Sequence, residues 1–139
     1  MGMNNAKTGA KGILKLPQEN GTVIKEVALE TGQTLVLSDF SRKISPDAHV
    51  VIMQATVEIK VEPDLFKNVQ LSDVPFEQIR ETVGEKVVYE YRLERNFIMS
   101  HDKDTVLASL VETFLKNMGQ YITNPGFAPK VVLKKYKSA

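Results

Sequence analysis

Two side chains, His49 and His101, could act as a base near neutral pH or bind a metal through nitrogen. Asp47 precedes the first by two residues, and Asp102 and Asp104 follow the second. They flank two long candidate strands, one on either side. If those strands pair antiparallel the two ends can meet, and a histidine pair with aspartates suits a divalent ion such as zinc. The plainer reading is preferred. Both histidines stand in polar loops, Asp47 belongs to the turn Ser45-Pro46-Asp47, and Asp102 and Asp104 suit the positive end of a helix. No tight metal site, no cofactor and no catalytic residue is expected.

Arg95 is the one charge in an otherwise apolar row. An unpaired buried guanidinium is costly, so it must be paired, reach water along its own stem, or border a pocket. With Tyr91 and His101 it makes the candidate ligand-binding set, contacting a small anion at the mouth of a pocket between sheet and helix. Its place near a strand end offers the structural alternative, an easy escape to water.

Other patterns read as structure. Glu58, Glu90 and Glu94 lie among Lys60 and Arg92 on wet strand faces. Glycosidase chemistry needs two carboxyls flanking a substrate, one with a raised pKa. Carboxylates interleaved with cations instead make cross-strand pairs, each contributing roughly 0.2–1 kcal/mol. Tyr89 and Tyr91 could stack nucleic-acid bases, but their phase puts them on the apolar face, with hydroxyls reaching the sheet margin. Lys130, Lys134, Lys135 and Lys137 could contact phosphates; on a terminal strand they would guard a sheet edge. Lys7, Gly9, Lys11 and Gly12 lack the spacing of a phosphate loop, and no H-E-x-x-H, G-x-S-x-G, G-x-G-x-x-G or calcium-loop pattern occurs.

The elements that position these residues are legible from periodicity. Over 87–97 the odd positions are Val87, Tyr89, Tyr91, Leu93, Arg95 and Phe97, and the even ones are mostly polar. Over 50–61 the odd positions are Val51, Met53, Ala55, Val57, Ile59 and Val61. Alternation of this kind makes two strands with one apolar face each, expected to pair antiparallel. After Ser100 the apolar positions Val106, Leu107, Leu110, Val111, Phe114, Leu115, Met118 and Ile122 step by three and four, one broad helical stripe. Ser100 or Asp102 can cap it, and Asn124-Pro125 ends it. A shorter helix is expected from Asp73-Val74-Pro75 through Phe76, Ile79 and Val83. Short strands are expected at 13–16, 22–29 and 34–37, a turn at 18–21, a loop at 39–48, and a last strand at 130–137.

The whole is an α+β class: a mainly antiparallel five- to six-stranded sheet with one long amphipathic helix (about 101–123) and one short helix (about 74–83) packed on one face. A disordered tail over 1–11 precedes a single domain over 12–139. The chain of 139 residues has a formal net charge of +1 and no cysteine, which excludes disulfides and thiolate chemistry and gives no strong field toward nucleic acid. No apolar run approaches the ~20 residues of a membrane span. A cytoplasmic protein is expected, with no membrane partner and no nucleic-acid partner.

Coverage sets the oligomeric expectation. Twelve-residue strands run about 40 Å, and five or six of them make a sheet some 25 Å wide. A helix about 10–12 Å across and about 33 Å long covers roughly half of that face. Val23, Val27, Leu35, Leu37 or the 131–133 edge would then leave a larger apolar patch than monomers usually expose. A twofold homodimer is the common remedy. The functional expectation is a non-enzymatic binding or assembly module that self-associates. The alternatives are a small enzyme or ligand carrier using Arg95, and weak nucleic-acid binding through the C-terminal lysines.

Overall fold

The computed structural model describes residues 21–67, 69 and 74–139. The tail expected over 1–11, the strand over 13–16, most of the turn over 18–21, and Asp73 lie outside the described residues. In chain order come β1 (Thr22–Ala28), β2 (Thr34–Asp39), β3 (Arg42–Ser45), β4 (Ala48–Lys60), α1 (Phe76–Val83), β5 (Lys86–Met99), α2 (Lys103–Thr123) and α3 (Phe127–Ser138). Short 3-10 turns occupy Pro63–Phe66 and Ser100–Asp102.

β4 is the centre of the sheet. One edge pairs with β5 from Ala48↔Met99 to Lys60↔Lys86. The other edge takes two strands in succession: β2 from Leu35↔Val57 to Asp39↔Met53, and β3 from Arg42↔Val50 to Ser45↔Ala48. Between them the Phe40 amide donates to the Ile52 carbonyl at 2.9 Å, and the Ser41 hydroxyl accepts from the Ile52 amide at 2.9 Å. A side-chain oxygen thus stands where a strand carbonyl would be, so β2 and β3 run on as one interrupted strand. β1 closes the sheet as a hairpin on β2, through a turn in which Gly32 takes a φ of 96° that most residues avoid. Every described pairing is antiparallel, so the sheet is an α+β meander with five strands.

The helices cover one face. The odd row of β4 (Val51, Met53, Ala55, Val57 and Ile59) is completely buried beneath them. α2 contributes Leu110, Phe114 and Ile122, on the stripe its spacing predicts, and α1 contributes Ile79. Each such side chain contributes about 1.5–3 kcal/mol when fully buried. Asp102 takes the N-cap position of α2 but makes no side-chain capping bond, its carboxylate turning to His101 instead.

Three expectations are corrected. The segment 130–137 is no strand but the body of α3. Val131 and Leu133 alternate, yet Ala128, Val132 and Tyr136 recur every four residues, and Val132 is 0% exposed. Pro129 is tolerated because it stands in the first turn. The four C-terminal lysines therefore line the outside of a helix and guard no sheet edge. The loop expected over 39–48 contains β3, whose pairing to β4 overrides a sequence rich in polar residues. The coverage shortfall narrows: α3 lays Phe127 and Val132 into the core, Leu35 and Leu37 are buried, Val27, Val131 and Leu133 are partly buried, and Val23 remains exposed.

A fourth correction concerns phase. From Lys86 to Arg95 the pairing with β4 is unbroken, but Asn96 and Phe97 together face the single residue Val50. This β-bulge moves the alternation by one. Ile98 takes the inward place, and Phe97 is turned out, 69% exposed and at a φ of 55°.

Candidate interaction surface

β5 is the longest described strand, and β4 occupies one of its edges. Among the described residues nothing pairs with the other. That edge offers a row of backbone donors and acceptors, regular from Lys86 to Arg95 and then broken by the bulge.

An aromatic shoulder runs beside it on the helix side. Tyr89 and Tyr121 both pack edge-on against Phe127, at ring distances of 5.0 and 5.1 Å, and Tyr91 packs against Phe114 at 5.4 Å. These rings fill the core margin and leave their outer parts in water, with Tyr89, Tyr91 and Leu93 half-buried and Tyr121 42% exposed. Burial pushes the Tyr89 hydroxyl above its ordinary pKa, and Tyr121 and Tyr91, whose anions would repel its own, add to that.

The other face of the sheet has two characters. At its polar end, Arg92 donates from Nε and Nη2 to Gln54 Oε1, at 3.2 and 2.8 Å, which satisfies the carbonyl oxygen of a side chain only 3% exposed. The same guanidinium stands 5.7 Å from the centre of the Phe40 ring and 3.7 Å from Glu94. Phe40 in turn occupies the space of a missing side chain, since any Cβ at Gly21 would overlap its ring. Lys86 and Glu58 pair across the strands at 3.4 Å, as the interleaved charges predict. A broad open concavity of about 1140 Å³ lies over this end, touching Val36, Gln54, Thr56 and Glu90, and its carboxylates outnumber its lysines five to two. That balance disfavours small anions.

At the opposite end the same face is apolar. Val50 and Ile52 are buried although they point away from the helices, and Phe97, Met99 and Ile44 are exposed near them. This patch escaped the reading from alternation. Its signal is the unbroken run Val50-Val51-Ile52-Met53, since a strand with one wet face does not keep four apolar residues in a row.

The predicted ligand set does not gather at a described concavity. Arg95 sits opposite Val51 but is exposed, its Nη1 donating to the Glu94 carbonyl at 2.8 Å, the escape to water that its position allows. Tyr91 is engaged with Phe114, and His101 is exposed 3.5 Å from Asp102. The antiparallel pairing does bring the strand ends together: the Ser100 amide donates to the Asp47 carbonyl at 2.8 Å, and Ser100 Oγ lies 3.1 Å from His49 Nδ1. Among the described residues no group of three His, Cys, Asp or Glu side chains is arranged to hold a metal ion. Nor is any helix among them long and apolar enough to cross a membrane.

Comparison with known protein families, with curated proteins and with solved structures found no match to this chain.

Proposed function

We propose that this chain is a non-enzymatic assembly module of the cytoplasm that works as a homodimer, with its sheet as the joining surface. The observation that carries the reading is the edge of β5 that no described residue pairs with, on a strand fourteen residues long, with half-buried tyrosines on one side and exposed Val88, Phe97 and Met99 on the strand itself. Natural edge strands are commonly short, covered, charged, bulged or given an inward-pointing charge; β5 carries its bulge at Asn96 and Phe97 and its inward-row charge at Arg95, both at one end, which leaves Lys86 to Glu94 as a regular edge. Here Glu90, Arg92 and Glu94 alternate in sign, which opposes strangers of like pattern in some registers and welcomes a second copy in others. Tyrosine margins of this kind are also favoured in interfaces, because they bury area with little loss of side-chain freedom. The lack of cysteine suits a reducing compartment.

Coverage of the helix face argues less for the dimer, because α3 narrows the shortfall. The case moves to the edge and to the open face. Light scattering at micromolar concentration tests it. The expected mass is twice the 15.6 kDa of one chain, falling on dilution. A mass of one chain throughout the micromolar range would remove the proposal.

A further inference from the structure

We propose that two copies join by antiparallel pairing of their β5 edges about a twofold axis at Tyr91, giving one continuous sheet with both sets of helices on the same side. This rests on the homodimer proposed above and adds which edge is used and which residues meet.

Symmetry leaves few choices. Opposed residues in an antiparallel pair share a face, so a twofold axis perpendicular to the sheet must pass through a residue position, not between two. The bulge at Asn96 and Phe97 ends the regular ladder, so the centre must lie well inside Lys86 to Arg95. Charge then sorts the candidates. An axis at Glu90 or Glu94 puts that carboxylate against its own copy. An axis at Arg92 puts it against the partner's Arg92 and sets Glu90 against the partner's Glu94 twice. Like charges directly opposed destabilise a ladder. An axis at Leu93 matches Arg92 with the partner's Glu94, but Tyr89 would then fall opposite the partner's Phe97, inside the bulge.

An axis at Tyr89 sets Arg92 against the partner's Lys86, and one at Val88 pairs only Lys86 to Glu90, so the axis at Tyr91 gives the longest regular ladder without opposed like charges. Arg92 meets the partner's Glu90 twice, once on each side of the axis, and the ladder runs unbroken from Val87 to Arg95. On the helix side Tyr91 faces the partner's Tyr91 and Tyr89 faces the partner's Leu93, so the half-buried aromatic shoulder of each copy covers that of the other. On the open side Val88, 48% exposed, meets the aliphatic stem of the partner's Glu94.

Two exposed carboxylates distinguish this register from its rival. Glu90→Arg should place Arg against the partner's Arg92 on both sides and raise the dimer Kd about tenfold or more. Glu94→Arg lies opposite Val88 here and should leave the Kd within about threefold, whereas the Leu93 axis predicts the reverse order. Circular dichroism establishes that each variant is folded. The second measurement uses the absence of native cysteine. Val88→Cys and Glu94→Cys proteins, mixed and oxidised, should give a disulfide-linked pair, because opposed positions lie within reach; neither alone should. A wild-type dimer indifferent to Glu90→Arg, or one in which the mixture fails to cross-link, would overturn the register and leave self-association standing. A wild-type monomer would overturn both.

Discussion

Lys103 Nζ lies 3.3 Å from Asp39 Oδ2, tying the first turn of α2 to the last residue of β2. The Ser41 amide donates to the other oxygen of the same carboxylate at 2.8 Å. Burial alone would raise the Asp39 pKa, but the Ser41 hydrogen bonds and the Lys103 ammonium outweigh it, and the net position is below the ordinary carboxylate value. A carboxyl depressed in the fold stabilises the protein above its unfolded pKa, and that stability is lost as pH falls through the folded value. Asp39→Asn should therefore cost about 0.5–1 kcal/mol at pH 7, the scale of a partly exposed pair, and the difference from wild type should vanish toward acid below about pH 4. Urea denaturation at several pH values reads it directly.

Tyr89 has the opposite sign. Its raised pKa means that the fold favours the neutral phenol, so its contribution is present below about pH 10 and is lost as pH rises toward the folded value. Spectrophotometric titration should find one tyrosine ionising later than the rest. Tyr89→Phe should flatten the alkaline fall in stability; an unchanged alkaline limb would show that Tyr89 is not the group responsible.

The helix face supplies the largest expected losses. Leu110→Ala and Phe114→Ala should each destabilise by about 2–5 kcal/mol, since both are buried against the sheet and neither site can collapse freely. Val132→Asp should prevent folding, whereas Lys134→Asp, on the outside of α3, should change stability by less than about 0.5 kcal/mol. Equal tolerance at both positions would mean that α3 does not pack.

Phe97 is bulky, exposed, and held at a φ of 55°. A left-handed backbone costs an ordinary residue about 1–2 kcal/mol, while glycine adopts it without strain. Phe97→Gly should therefore leave stability unchanged or raise it by about 1 kcal/mol, an unusual outcome for losing an aromatic side chain. Denaturation of Phe97→Gly and wild type at matched low protein concentration gives the comparison with the least contribution from self-association. A loss of more than about 2 kcal/mol would mean that the ring is buried in solution.

Long, regular periodicity was the readable part of this chain. The odd row of β4 and the stripe of α2 repeat often enough for their geometry to show in residue types alone, and the antiparallel sheet class follows. Three features resisted for physical reasons. In α3, twelve residues carry both an alternation at Val131 and Leu133 and a fourfold recurrence at Ala128, Val132 and Tyr136, and packing against α1, α2 and β5 decides between them. β3 is a strand because β4 holds it, with little propensity of its own. The site was harder still. Arg95, Tyr91 and His101 are spread over a strand and a turn, while the edge of β5 that no described residue pairs with is a property of sheet order, which no single stretch encodes.

The bulge also separates chain length from topology. Removing Asn96 would set Phe97 alone opposite Val50 and leave Ile98 against His49 and Met99 against Ala48 as they are now. β5 is one residue longer than its partner requires. A deletion there should be absorbed locally, while a deletion nearer Lys86 would exchange the buried and solvated rows from that point as far as the bulge. The join between β4 and β5 thus contains a single point of slack, at the far end from the proposed axis, where the strand can change length without a change of fold.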